Sequence, residues 1–354
     1  MTGRRFAWRD LPRPIFALAP MEDVTDTVYR RLIREWSSRA APRATTGDDA
    51  PRPTVMFTEF TRVDAAVRTR DARASGAPGN GRLRYHESER PIVAQIWGTR
   101  PEEFRRAAAA LDELRFDGID LNMGCPVRKI RKAGACSALI ERPTLAAEII
   151  AACREGSRLP VSVKTRIGLS RVRTEEWCGF LLEQPIDALT VHPRTADQMS
   201  DGWADWREVR RVVAMRDAAA AGTVVLGNGD VRSLAHARRL VEQTGADGVM
   251  IGRGIFADPL LFARDPATSA ADGAATPEWD ALDPGSRLDY LEEHIRRFVG
   301  YWNTGRNYEV LKKFYRNYVP RSAAGRALLE RLYETHDPDA ALDEIARARR
   351  LMDA

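Results

Sequence analysis

Apolar residues fall in short, nearly unbroken runs at 15–19, 55–59, 92–97, 118–122, 161–165, 188–192, 224–227 and 248–251. These runs are rich in Val, Ile and Leu and alternate little, as expected of parallel strands buried on both faces. Helix-like stretches lie between them, at 25–36, 101–114, 144–154, 174–183, 206–214 and 233–242. Pro101 followed by Glu102 and Glu103, and Thr144 ahead of an Ala-rich run, read as helix starts. Eight strands alternating with helices over about 250 residues match the count and size of a (β/α)8 TIM barrel. A doubly wound sheet alternates too, so the alternation leaves both architectures open.

Other stretches break the pattern. Segments 37–53 and 70–90 are polar, with Gly, Pro, Asp and Arg, and read as loops or insertions. Segment 264–284, rich in Ala, Asp, Pro and Gly, reads as a linker. Beyond it, 288–302, 308–318 and the segments to 352 are helical in period and contain no strand candidate. The expected organisation is a barrel domain over 1–265 and a small all-helical C-terminal domain over 280–354.

Composition narrows the class. The chain has 354 residues, a net charge of +5 and 44% hydrophobic residues. No apolar run reaches the ~18 residues that a membrane-spanning helix needs, and the first residues lack a signal-peptide core. Cys125, Cys136, Cys153 and Cys178 include no CxxC pair, which argues against a disulfide framework and a zinc site, so no metal is expected. A reducing cytoplasm is the expected compartment. Of 55 cationic residues only Lys129, Lys132, Lys164, Lys312 and Lys313 are lysine.

Candidate chemistry sits where the strands end. In a barrel, the C-terminal strand ends line the active site. They carry Pro20, Met21 and Glu22; Gln95; Asn122 and Cys125; Lys164 and Arg166; His192 and Arg194; Asn228, Gly229 and Asp230; and Gly252 and Arg253. A lysine inside an apolar strand is costly to bury without an anionic partner. The glycines at 227–230 and 252–254 suit a phosphate at the last two strands, with Arg253 adding a charge-assisted contact. They can also serve only as tight turns. Neither a P-loop nor a GxGxxG fingerprint is present. A phosphorylated cofactor with Lys164 under its ring fits this set, and flavin mononucleotide (FMN) has the required shape and charge.

The sequence resembles the tRNA-dihydrouridine synthase family. The resemblance rests on APMEDVTD (19–26), AQIWG (94–98), DLNMGCP (120–126), VSVKTRIG (161–168), TVHPRTADQ (190–198), GNGD (227–230) and MIGRG (250–254). It is strong over about 14–262 and loose in the C-terminal helices. It implies an FMN-dependent barrel oxidoreductase that reduces the C5–C6 double bond of uridines in tRNA, with NADPH as electron source and a helical domain that helps to hold tRNA. FMN would be held by Pro20, Met21, Glu22, Gln95, Lys164, His192, Asn228, Gly229, Asp230, Gly252 and Arg253. Cys125 would give a proton to C5 while hydride reaches C6. Asn122, Arg166 and Arg194 would lie near the uracil.

An ordinary thiol pKa near 8.5 would keep Cys125 protonated at neutral pH, with Arg128 and Lys129 turned outward to RNA phosphates. Lys129, Lys132, Lys312 and Lys313 are expected to meet the RNA backbone, and Tyr315 and Tyr318 to stack on bases. Cys136 departs from the family pattern, in which glycine is common at that turn. A rival reading is an FMN-dependent dehydrogenase of a free pyrimidine, of the dihydroorotate or dihydropyrimidine type. That reading has no need of the basic loop or the basic helical tail. No obligate protein partner and no membrane association are evident in the sequence.

Overall fold

The computed structural model describes residues 6–40, 53–77, 79–264, 279–303 and 305–352. Its strands are β1 (Ile15–Leu18), β2 (Val55–Phe57), β3 (Thr61–Arg62), β4 (Ile92–Trp97), β5 (Gly118–Met123), β6 (Val161–Arg166), β7 (Ala188–His192), β8 (Val224–Asn228) and β9 (Gly248–Ile251). Eight of them close into a parallel barrel in the order β1-β2-β4-β5-β6-β7-β8-β9, with β9 pairing back onto β1. The two-residue β3 pairs only with the end of β4. Helices follow the strands: α1 (Thr27–Ala40), α2 (Val63–Ala74), α3 (Pro101–Glu113), α4 (Arg128–Lys132), α5 (Pro143–Gly156), α6 (Thr174–Leu182), α7 (Trp206–Ala218) and α8 (Leu234–Thr244). The fold is a TIM barrel, and closure by β9 on β1 excludes the open doubly wound sheet.

The barrel core is built from small and branched residues, among them Ile15, Ala17, Val55, Val93, Ala188 and Leu226, with Trp8 and Phe57. At the N-terminal end of the strands one device recurs. Asp117, Asp187 and Asp247 each directly precede a strand and accept a backbone N–H from its neighbour: Ile92 at 2.7 Å, Val161 at 2.8 Å and Val225 at 2.8 Å. Each also pairs with an arginine: Arg90 at 2.8 Å, Arg154 at 3.0 Å and Arg216 at 2.6 Å. These bonds satisfy the orphan donors at the bottom of the barrel, which leaves the other end for chemistry.

Packing divides the described chain into two compact units, 6–27 with 53–252 and 28–40 with 253–352. Most of α1 therefore belongs with the C-terminal helices, although its place between two strands had assigned it to the barrel. Tyr29 stacks on His294 with ring centroids 5.1 Å apart, and Trp36 Nε1 donates to Glu293 at 2.8 Å. The second unit also holds α9 (Gly254–Ala257), α10 (Pro284–Trp302), α11 (Lys312–Tyr318), α12 (Ala323–Glu334) and α13 (Pro338–Met352).

Three expectations change. The polar segment 37–53 begins as helix, since α1 runs to Ala40, and 41–52 lie outside the described residues. Segment 70–90 contains the end of α2 and two 3-10 turns, Gly81–Leu83 and Glu87–Glu89. The buried face of α2 is Val63, Ala65, Ala66 and Thr69, too small and too short to stand out among its charges. The linker 264–284 ends in a 3-10 turn, Trp279–Ala281, with Trp279 buried, while 265–278 lie outside the described residues.

Candidate active site

The register of β4, β5 and β6 sets three polar side chains level with one another. Gln95 pairs with Asp120, and Asp120 with Ser162. Asp120 is fully buried and accepts from Gln95 Nε2 at 2.7 Å and from Ser162 Oγ at 2.6 Å. Burial pushes its carboxyl up to about 6, against the pull of those two hydrogen bonds and the Lys164 charge.

Side chains two residues apart on a strand share a face, so Asn122 stands one level above Asp120. Asn122 Nδ2 donates to Gln95 Oε1 at 3.1 Å, and Asn122 Oδ1 accepts from the backbone N–H of Gly124 and Cys125 at 3.1 and 2.9 Å. The Asp120 carboxylate thus fixes which way the Gln95 amide points. Gln95 in turn fixes Asn122, and Asn122 closes the turn that presents Cys125. Asp120 and Ser162 escaped the sequence reading. The available signal was a carboxylate inside the apolar run GIDLNM, the same argument that singled out Lys164.

Lys164 pairs in register with Asn122. It is half-buried, and its Nζ donates to Asn228 Oδ1 at 2.7 Å, while Asn228 Nδ2 donates to the Met250 carbonyl at 2.8 Å. Burial lowers its pKa to about 8, helped by Arg166 and opposed by Asp120 and Cys125. The structure thereby brings Asn122, Cys125, Lys164 and Asn228 to one end of the barrel.

Cys125 is half-buried and is held by a hydrogen bond from the buried Cys136 thiol. That bond is the largest influence on Cys125. With the Val127 amide and the Arg166 charge it outweighs burial and brings the thiol down to about 7. This revises the expectation of a mostly protonated thiol with an ordinary pKa: the largest influence is Cys136. Cys136 sits at φ +54°, a left-handed conformation that favours glycine. Arg128, Lys129 and Lys132 are exposed, and Arg131 pairs with Asp197 at 2.6 Å.

The two arginines expected beside the uracil are buried in the wall. Arg166 donates to the carbonyls of Gly124, Thr195 and Met199 at 3.0, 2.9 and 2.8 Å. Arg194 donates to the Gly202 carbonyl and to Asp230, both at 2.6 Å, and to His192 Nε2 at 3.0 Å. Because a guanidinium only donates, His192 Nε2 must be the acceptor. These arginines shape the rim by holding its loops. Gly229 lies at φ +133°, and a Cβ there would stand 2.8 Å from Ala204 Cβ, so the turn itself requires the glycine.

Glu22 accepts from Arg82 Nε at 2.8 Å, yet its Oε2 is buried without a partner. Burial raises the Glu22 pKa. Pro20 and Met21 precede it after β1, and the Met21 amide donates to Thr25 Oγ1 at 2.8 Å. Gly252 follows β9 on the barrel, and Arg253 opens the second unit.

In the second unit, Tyr315 and Tyr318 are fully buried. Tyr308 and Tyr315 share a hydroxyl hydrogen bond, and Tyr318 OH lies 3.0 Å from His294 Nδ1. They form the core of the helical unit and cannot stack on bases. Lys312 is also spoken for: it pairs with Glu309 at 2.9 Å and donates to the Tyr333 carbonyl at 2.8 Å. Lys313 instead lines a cavity of about 760 Å³ with Arg253, Arg316, Arg321 and Arg326. A second basic hollow of about 540 Å³, on the barrel, is lined by Pro126, Arg128, Arg131 and Lys132. No cluster of metal-ligating side chains occurs among the described residues, and no described helix is long and apolar enough to cross a membrane.

A TIM barrel whose C-terminal rim gathers a perturbed thiol, a half-buried ammonium and an unpaired carboxylate oxygen defines a barrel enzyme. The family model described as "Dihydrouridine synthase (Dus)" matches residues 17–351. A probable tRNA-dihydrouridine synthase of Staphylococcus aureus (strain COL) is 38% identical over 348 residues, covering 98% of this chain and 94% of that one. Probable tRNA-dihydrouridine synthase 2 of Bacillus subtilis (strain 168) is 38% identical over 345 residues, covering 96% of each. The chain belongs to the dihydrouridine synthase family and is an oxidoreductase. Among solved structures, morphinone reductase matches with a TM-score of 0.44 and 15% identity, over 75% of this chain and 92% of its own.

Proposed function

We propose that this enzyme reduces the C5–C6 bond of uridines in tRNA to dihydrouridine, with FMN at the barrel rim, NADPH as electron donor and Cys125 as proton donor, in the cytoplasm. The observation that carries the reading is the rim itself, where β5 and β6 pair Asn122, which holds the Cys125 turn, with Lys164, so that the thiol and the ammonium share one end of the barrel. The donor set suits FMN. Lys164 has N–H groups beyond the one given to Asn228, and Glu22 Oε2 is a buried acceptor without a partner. Pro20, Met21, Gln95, His192, Asn228, Gly229, Asp230 and Gly252 complete the binding set in this reading, with Arg253 on the phosphate.

When bound and reduced, FMN supplies a hydride for carbon 6. Cys125 Sγ holds the proton for carbon 5, and a thiol pKa of about 7 suits transfer near neutral pH. Asn122 holds the Cys125 turn in place, and Lys164 keeps positive charge where negative charge gathers. Arg166 and Arg194 act on the uracil through the loops they hold. A target uridine leaves its stack at a cost of a few kcal/mol. Arg128, Lys129 and Lys132, and Lys313 in the helical unit, offset that cost with phosphate contacts.

The test is to supply purified enzyme with FMN, NADPH and unmodified tRNA, or with free uracil or orotate, and to measure dihydro product by mass. Product from tRNA alone supports the proposal. Turnover of the free base with none on tRNA gives the site to the rival pyrimidine dehydrogenase.

A further inference from the structure

Cys136 makes the Cys125 turn a dithiol, and its placement follows from the backbone. Ser137 ties itself twice to the Cys125 carbonyl, by Oγ at 2.9 Å and by its amide at 3.4 Å. Residues 125 and 136 are therefore held side by side, although ten residues separate them. Cys136 is fully buried, and the two thiols are near enough for each to perturb the other's ionisation. Cys125 is half-buried and reachable from the rim. The intervening segment 127–134 is largely exposed, so it can absorb the movement that brings two hydrogen-bonded sulfurs to the ~2.05 Å of a disulfide.

We propose that Cys125 and Cys136 form a reversible disulfide when the enzyme meets a hydroperoxide, making the turn an oxidative modification site that protects the thiol. The Cys125 thiolate attacks the distal peroxide oxygen. The S–O bond forms as the O–O bond breaks, and the alcohol or water leaves with a proton. Cys125 is then a sulfenic acid, oxidised by two electrons. The Cys136 sulfur attacks it, S–S forms as S–O breaks, and hydroxide leaves as water with the proton that Cys136 already directs at its neighbour. Two thiols and one hydroperoxide give a disulfide, an alcohol (water, from hydrogen peroxide) and water.

Two features suit these roles. Arg166 and the Cys136 hydrogen bond favour thiolate at Cys125, as an attacking sulfur needs. Burial holds Cys136 as a thiol, so it does not meet peroxide first. Cys153 and Cys178 are fully buried with thiols pushed up by burial, Cys178 to about 12, and they serve as inert internal controls.

The experiment treats the full-length protein with hydrogen peroxide and reads intact mass and tryptic peptides, so substrate identity and flavin loading do not enter. Arg128, Lys129, Arg131 and Lys132 lie between the two cysteines, and trypsin separates them unless they are bonded. The expected result is a loss of about 2 Da, one joined peptide pair holding Cys125 and Cys136, and full reversal by dithiothreitol. Cys136→Ala and Cys136→Ser should instead gain about 32 Da at Cys125 as sulfinic acid, without reversal. The proposal is overturned if the unmodified sequence accumulates sulfinic acid at Cys125 with Cys136 still alkylatable after unfolding. It is equally overturned if neither thiol reacts, or if the disulfide joins other cysteines. The native-sequence measurement decides the matter even if a Cys136 variant fails to fold.

Discussion

Asp120→Asn separates what the buried carboxylate does by its shape from what it does by its charge. Asp120 has no solvent contact, and burial lifts its pKa from 3.8 to about 6. At about 1.36 kcal/mol per pH unit, that rise is worth about 3 kcal/mol. The sign follows from proton counting. Between pH 4 and 6 the folded state holds a proton that the unfolded state has released. Stability is therefore undiminished below about pH 4, falls as pH rises through 6, and has lost the full amount by pH 7.5. Asparagine keeps nearly the same shape, accepts from Gln95 and donates to Ser162 Oγ, but does not ionise. Urea unfolding of both proteins from pH 4 to 7.5 should show the difference in unfolding free energy moving by about 3 kcal/mol in favour of Asp120→Asn as pH rises. Asp120→Leu leaves Gln95 Nε2 unpaired, at about 1–3 kcal/mol, and Ser162 Oγ with only its 3.4 Å bond to the Ile119 carbonyl, and should be destabilised across the whole range. Parallel pH profiles for the original sequence and Asp120→Asn would refute the buried ionisable carboxylate.

Three further outcomes are expected. Iodoacetamide should alkylate Cys125 with a midpoint near pH 7, and Cys136→Ala should move that midpoint upward toward the ordinary thiol value near 8.5, which stopped-flow rates against pH will show. Cys125→Ala should lower turnover on tRNA by about 10²–10⁴, the usual worth of a positioned proton donor, while flavin absorbance and tRNA affinity stay intact; normal turnover would remove Cys125 from the chemistry. Replacing Lys129 and Lys132 by alanine should weaken tRNA binding at low salt and reduce the slope of log K against log salt by about one per lost phosphate contact, measured by filter binding; an unchanged slope places the RNA elsewhere.

Much of the barrel was readable along the chain because it depends on local pattern. Val- and Ile-rich runs bounded by turn residues specify buried strands, and β4, β7 and β9 begin and end where those runs do. The polar residues at the strand ends could be collected for the same reason, since barrel geometry sends every such residue to one rim. Helix α2 stayed hidden because its buried face, Val63, Ala65, Ala66 and Thr69, is small and short. Tyr315 and Tyr318 looked available for stacking because a charged sequence context says nothing about which face of a short helix meets a core.

Position in the chain assigns a residue to a strand end, but not the group it faces. Ser162 lies 42 residues from Asp120 and Asn228 lies 64 from Lys164, so only closure of the cylinder makes them partners. The same holds for the thiol. Its residue type names a proton donor, whereas its ionisation depends on burial and on Cys136, and both depend on how far solvent and neighbouring dipoles stand from one sulfur atom. Those distances arise from packing between segments with no local relation in the chain, and a one-dimensional pattern carries no measure of them.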